Sequence, residues 1–92
     1  MNQEFNNVWT AIEDNVVLAE NLRLRSQLMM AISHYVKQSG LSPAEAATEL
    51  GTTHPRLSDV LNGHIENCTL DRLVNMLSAV GARITLQVEL DC

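Results

Sequence analysis

Apolar residues recur at helical spacing along most of this chain, and each such stretch is followed by a glycine. The four glycines are Gly40, Gly51, Gly63 and Gly81. A glycine directly after a periodic stretch commonly forms the left-handed turn that ends a helix. The pattern therefore predicts four helices, which run from residue 13 or 14 to 39, from 43 to 50, from 54 to 62 and from 70 to 80.

The first predicted helix carries two apolar stripes, one of which is interrupted by Arg25. The interrupted stripe consists of Leu18, Leu22, Met29, Ile32 and Val36, and the second stripe consists of Leu24, Leu28, Ala31 and Tyr35. A helix with two apolar faces is buried on more than one side. The pattern favours a central helix of the core, and the alternative is that one face contacts a second chain.

Residues 83–90 alternate strictly between polar and apolar side chains, which predicts a β-strand with one apolar face. The apolar positions are Ile84, Leu86, Val88 and Leu90. A lone strand leaves its backbone N–H and C=O groups unpaired. We therefore expect the strand to pair antiparallel with its copy in a second subunit, about a two-fold axis. The alternative is pairing within the chain, with an extended segment at residues 5–9.

The stretch from residue 41 to residue 63 contains two short helices joined by a tight turn. Ser42 and Glu45 have the spacing of a capping box, and Pro43 suits the first helical position. Gly51 ends the first helix, and alanines along it allow another helix to approach closely. This arrangement predicts a helix-turn-helix motif, whose first helix crosses the DNA backbone while the second enters the major groove.

Polar side chains on the outer side of the second helix suit contacts with DNA. Arg56 can donate two hydrogen bonds to one guanine, and the N-terminal end of a helix attracts phosphate. The candidate DNA-binding residues are Ser42, Thr53, His54, Arg56, Ser58, Asn62 and His64. A structural role is the alternative for each of them, for example Thr53 as a helix cap and His64 as a loop residue.

The charge balance limits how tightly such a motif would bind DNA. Six basic residues against eleven acidic ones give a formal net charge of −5, which argues against non-specific binding to nucleic acid or anionic membranes. Between residues 40 and 67, Arg56 stands against four carboxylates, a net charge of −3. We therefore expect modest affinity that depends weakly on salt and relies on dimerisation. Protonation of His54 and His64 should tighten binding at mildly acidic pH.

Other features exclude several classes of function. Ninety-two residues form one domain, and aromatic residues at 3% disfavour a stacking platform for single strands. His64 and Cys68 lack a second ligand pair at zinc-like spacing, and no nucleophile motif is present, so we expect no metal, no cofactor and no enzyme activity. Two cysteines, no apolar run of membrane length and no signal peptide lead us to expect a cytoplasmic, nucleoid-associated protein.

The segment AEAATELGTTHPRLSDVLNG, followed by CTLDRLVNMLSAVGARI, resembles the XRE family of Cro/CI-type helix-turn-helix regulators. More narrowly, the chain is similar to the HigA-type antitoxin branch and its prophage relatives over residues 5–88. The resemblance implies a dimeric DNA-binding protein that represses its own promoter and, where a toxin exists, binds a small basic ribonuclease. The family often has glutamine at the positions of Pro43 and His54 and a basic residue at that of His64.

The sequence thus predicts an all-α, lambda-repressor-like helix-turn-helix bundle with a C-terminal strand for dimerisation. Residues 1–12 form an N-terminal segment, 13–81 the helix-turn-helix domain and 82–92 the dimerisation strand. The predicted function is that of a sequence-specific regulator, the antitoxin and autorepressor of a toxin–antitoxin operon. Its expected partners are duplex operator DNA, a second copy and a basic toxin. The alternatives are a prophage regulator without a toxin and a protein-interaction module that has lost DNA binding.

Overall fold

The computed structural model describes residues 8–90 and shows a helical chain. In order, the elements are α1 (Val8–Ser39), α2 (Pro43–Glu49), α3 (His54–Leu61), a 3-10 turn (Ile65–Asn67) and α4 (Leu70–Ala79). The four predicted helices are confirmed. The helices α2, α3 and α4 each end one residue earlier than predicted, because the last predicted residue is the C-cap.

The first helix already includes Val8, ahead of the predicted start at Glu13 or Asp14. No glycine or proline lies between residues 8 and 14, so nothing in the sequence stops the helix before the acidic pair. This finding also removes Val8 and Trp9 from the extended segment that was the alternative partner for the C-terminal strand. The rest of that segment lies outside the described residues.

Side-chain caps fix where the three shorter helices begin. The Ser42 hydroxyl accepts a hydrogen bond from the backbone N–H of Glu45, and the Glu45 carboxylate accepts one from the N–H of Ser42, at 3.2 and 3.1 Å. The predicted capping box is therefore confirmed. Thr53 caps α3 by accepting from the N–H of Arg56, and Thr69 caps α4 in the same way. Each cap satisfies an amide that the helix itself leaves unpaired.

The turn between α2 and α3 depends on Gly51, whose φ is +67°. Glycine adopts this left-handed conformation without the strain that a side chain would add. The backbone N–H of Gly51 donates to the carbonyl of Thr48, and that of Thr52 donates to Ala47, at 3.1 and 2.9 Å. These bonds end α2 at Gly51, as the sequence predicts.

The core lies where α1 crosses the other helices. The helix α1 contacts α2, α3, the 3-10 turn and α4, and α2 contacts α3. The buried side chains come from the four α-helices and from Leu50 and Cys68, which directly follow α2 and the 3-10 turn: Met29, Ile32, Ala46, Ala47, Leu50, Leu57, Val60, Cys68, Leu73, Met76 and Leu77. Two of the alanines of α2, Ala46 and Ala47, are buried in this core, whereas Ala44 is exposed.

The helix α1 has two different halves. Its C-terminal half supplies Met29 and Ile32 to the core, so the central-helix interpretation holds there. Its N-terminal half projects beyond the other helices, and Val16, Val17 and Leu18 are more than half exposed. Spacing alone places Leu18 in the buried stripe. The stripe continues beyond the part of α1 that supplies the core, and Leu18 is left 54% exposed among the described residues.

The predicted C-terminal β-strand is not present in the single chain. Residues 82–90, which precede the undescribed end of the chain, have no regular secondary structure. The physical reason is that a strand exists only through pairing, and the described part of the chain offers no second extended segment. The alternating apolar residues are exposed, from 41% at Ile84 to 83% at Leu90. We call residues 82–90 the tail.

Two adjacent methionines test which side of α1 packs against the core. Met29 is 6% exposed and Met30 is 62% exposed. We expect Met29→Ala to lower the free energy of unfolding by about 2–5 kcal/mol, because it removes packed core volume. Met30→Ala should change it by about 0.5 kcal/mol or less. Urea unfolding followed by circular dichroism measures both, and equal losses for the two variants would contradict the described packing.

Candidate nucleic-acid interface

The helix α3 is held by its inner side and presents a polar outer side. Leu57 is fully buried and Val60 is 4% exposed, and both face the core formed with α1 and α2. His54, Pro55 and Arg56, at the N-terminal end of α3, are exposed. The sequence periodicity thus places the apolar residues inside and leaves the first turn of α3 open to a ligand.

The first turn of α3 carries the side chains best placed to contact DNA. The hydroxyl of Thr53 is engaged in capping, by accepting the N–H of Arg56 at 3.3 Å. The guanidinium of Arg56 has no hydrogen-bond or ion-pair partner among residues 8–90, and its donors are therefore free for an external acceptor. The exposed imidazole of His54 belongs to the same turn, two residues before Arg56.

The other end of α3 is occupied by bonds within the protein. Asn62 donates from Nδ2 to the hydroxyl of Ser58 at 3.0 Å. Nδ1 of His64 lies 3.2 Å from a carboxylate oxygen of Asp59. A phosphate that approached His64 would therefore meet the negative charge of Asp59 as well. These three candidate residues lie together after the middle of α3, separate from Arg56.

Ser42 lies apart from α3, at the N-cap of α2. Its hydroxyl oxygen accepts the N–H of Glu45, which leaves the O–H as a donor toward solvent. The first helix of a helix-turn-helix motif crosses the DNA backbone at this end. The structural role of Ser42 and the predicted phosphate contact are therefore compatible.

Arg25 is a residue of the site that the sequence interpretation missed. Its Nε donates to Oδ1 of Asn21 at 2.6 Å, and its Nη1 donates to the backbone carbonyl of Ile65 at 3.1 Å. The guanidinium thus ties α1 to the 3-10 turn that follows α3. The signal for this role is its position, since it is the charged residue that interrupts an apolar stripe of α1. We call this pair of bonds the Arg25 clamp.

Cys68 is a packing residue of the same turn. The residue is 3% exposed. Its thiol donates a hydrogen bond to the backbone carbonyl of His64 at 3.3 Å. Burial raises the pKa of the Cys68 thiol, and the negative charge of Asp59 adds to the effect. The thiolate that a metal ion requires is therefore disfavoured. Within residues 8–90, no three His, Cys, Asp or Glu residues are grouped closely enough to hold a metal ion.

The comparison with known families agrees with this geometry. A family model described as a helix-turn-helix domain matches residues 11–89, which is most of the chain and includes α2, the Gly51 turn and α3. The chain belongs to the helix-turn-helix domain family. This is the fold of DNA-binding regulators, in which the second helix of the motif reads the major groove. No curated protein matches the chain. Within residues 8–90, none of the helices has the length and apolar character required to cross a membrane.

The Arg25 clamp can be tested by comparing the substitution of Arg25 with that of the neighbouring Arg23. Arg23 forms an exposed ion pair with Glu20 on the same helix and does not bond to the 3-10 turn. We expect Arg25→Ala to lower the free energy of unfolding by about 1–3 kcal/mol, because it leaves a polar group of the turn without its charged donor. Amide hydrogen exchange at residues 65–68 should become faster.

The variant Arg23→Ala is the control for this experiment. It removes the same charge from the same helix but breaks only an exposed pair, so the urea midpoint and the exchange rates should stay at the wild-type values. Equal effects of the two variants on residues 65–68 would contradict the clamp.

Proposed function

We propose that this protein is a sequence-specific DNA-binding regulator that inserts α3 into the major groove. The observation that carries the proposal is the arrangement of α3, which is anchored by the buried Leu57 and directs the unpartnered Arg56 outward from its first turn. The proposed role is binding and involves no catalytic step. The membership in the helix-turn-helix domain family supports it.

Each candidate residue has a distinct part in the proposed complex. Arg56 donates its two parallel N–H bonds to O6 and N7 of a guanine, and His54 contacts the adjoining base or phosphate. Ser42 and the backbone amides at the start of α3 bind the phosphates that set the register of the protein. Ser58, Asn62 and His64 lie further along α3 and the following turn, and they take a smaller part because Asn62 is bonded to Ser58 and His64 lies beside Asp59.

The proposed active form is a homodimer. One helix of eight residues spans few base pairs, and a symmetric pair of copies doubles the site that is read. Two half-sites would then lie about 34–36 Å apart, one turn of B-form DNA. The exposed apolar residues of the tail, Ile84, Leu86, Val88 and Leu90, support an interface with a second copy.

The charge distribution explains why a dimer is needed. Between residues 40 and 67 the net charge is −3, so each α3 region neutralises few phosphates. Each neutralised phosphate contributes about 0.9 to the slope of log affinity against log salt concentration. We therefore propose that specificity comes from the two copies of Arg56, and that the salt slope is shallow for a protein of this fold.

The finer proposal is that the protein is an antitoxin of the HigA type within the XRE family, and that it represses its own operon. The resemblance of residues 44–63 and of the segment after Cys68 to that branch supports this assignment. The net charge of −5 would complement a small basic toxin. A prophage regulator of the same fold without a toxin is the alternative, and a neighbouring gene for a small basic protein distinguishes them.

The regulator proposal is tested by mobility shift on the DNA upstream of the gene. Wild type should prefer this DNA to random duplex of equal length. Arg56→Ala should lose about 1–3 kcal/mol of binding free energy per half-site, because a bidentate guanine contact is removed. Arg72→Ala, which removes an exposed arginine of α4 that has no part in the proposed contacts, should bind like wild type.

A wild-type protein that shows no preference for its upstream DNA would contradict the regulator proposal. The net charge of −3 between residues 40 and 67 would then favour the protein-interaction module, whose partner would carry positive charge. Co-purification with the product of an adjacent gene tests the antitoxin assignment separately, since DNA binding and toxin binding can each be measured in the absence of the other ligand.

A further inference from the structure

The Arg25 clamp acts at the end of α3 opposite to Arg56. The backbone N–H of His64 donates to the carbonyl of Asp59 at 2.9 Å, which attaches the turn after α3 to the last turn of that helix. The next carbonyl in this turn, that of Ile65, accepts from Nη1 of Arg25 at 3.1 Å. Arg25 therefore holds the C-terminal end of α3 against α1.

The carbonyl of Ile65 is fixed from two sides. It also accepts the backbone N–H of Cys68 at 3.1 Å, and Cys68 is buried in the core. On the other side, Nε of Arg25 donates to Asn21 at 2.6 Å while Nη1 donates to Ile65. Because a guanidinium is planar, bonds from two of its nitrogens fix its orientation. The clamp thus holds the turn in one direction and does more than attract it as a point charge would.

Arg25 occupies a position of α1 where the pattern calls for an apolar residue. It lies between Leu22 and Met29 in the interrupted stripe and is half-buried. A half-buried charge loses hydration, and an apolar side chain of similar size at such a position often gives equal or greater stability. Stability alone therefore does not explain an arginine here, whereas the direction of its two bonds does.

The anchors of α3 make its two ends move together. The helix has eight residues and is about 12 Å long. Leu57 and Val60 are buried between the clamped end and the end that carries Arg56. A short helix that is held at its middle can still tilt, so a bond that fixes one end also determines where the other end lies. Two parallel bonds to one guanine require alignment within about 0.5 Å and 10–20°.

We propose that Arg25 is a positioning residue for DNA recognition, which holds the turn after α3 and thereby sets the tilt at which Arg56 reaches O6 and N7 of its guanine. Asn21 acts with it by fixing the plane of the guanidinium. The inference rests on the proposed function and deepens it, because the preference for one DNA sequence then depends on a residue that does not contact DNA.

The direction of α3 relative to α1 is measured first, without DNA, from residual dipolar couplings of the backbone amides. Arg25→Met continues the apolar stripe but has no donor, and Arg25→Lys keeps the charge but not the planar fork. In both variants we expect α3 to tilt by about 10° or more. The control is Ile32→Val, which removes one buried methylene from the same helix and should leave the direction unchanged.

The preference for DNA is measured next, as the ratio of the dissociation constants for random duplex and for the DNA upstream of the gene. The loss of a charge affects both constants, so the ratio isolates the sequence-specific part. Arg25→Met should lower the ratio about tenfold, because the guanine contact is misaligned. Asn21→Ala, which leaves Arg25 in place, should lower it by a smaller factor. Ile32→Val should retain the wild-type ratio.

Methylation of guanine N7 by dimethyl sulfate, at saturating protein, separates positioning from stability. Guanines that wild type protects and Arg56→Ala does not protect mark the Arg56 contact. Arg25→Met and Arg25→Lys should lose protection at these guanines while they remain bound to the DNA. Ile32→Val should protect them fully, because a loss of stability alone changes occupancy below saturation and not the contacts within the complex.

Three results would overturn the inference. They are an unchanged direction of α3 in Arg25→Met, full protection of the marked guanines by that variant, and a salt slope that falls by about 1 in Arg25→Met but not in Arg25→Lys, which would show that Arg25 itself contacts a phosphate. The first result is obtained without DNA and leaves the proposed function standing. A wild type that shows no preference for its upstream DNA would overturn the proposed function and this inference together.

Discussion

The burial of Leu57 and Val60 is the interaction on which the candidate site depends. A helix of eight residues is not stable by itself in water, since isolated helices shorter than about 12–15 residues are marginal. The helix α3 persists because its apolar side is covered by the core and its first turn is capped by Thr53. The same anchoring determines which side of α3 faces outward, and it thereby places Arg56 in solvent.

Three of the few arginines in the chain differ in what their side chains contact. Arg56 is unpartnered within the described residues, Arg25 is used to hold the turn after α3, and Arg23 is paired with Glu20. The net charge of −3 between residues 40 and 67 lowers non-specific attraction to DNA, so the proposed binding relies on geometry and on two copies. The bonds of Ser58, Asn62 and His64 further limit the groups that are free to contact a phosphate.

The local parts of the fold were predictable from the sequence, and the parts that depend on distant contacts were not. Ser42 with Glu45 and the glycine at residue 51 act over a few residues, so their patterns identified the helix ends. The start of α1 has no such local marker. Arg25 bonds to a carbonyl forty residues away, which spacing along one helix does not reveal. The tail alternates like a strand, but pairing requires a partner that one chain does not contain.

The central claim is that a symmetric pair of α3 helices enters one face of duplex DNA. Hydroxyl-radical footprinting of the wild-type protein on the DNA upstream of its gene tests it most directly. The account predicts two protected segments on the same face of the duplex, with centres about 34–36 Å apart, and no such pattern on random DNA. A single protected segment, or uniform protection that is equal on random DNA, would contradict it.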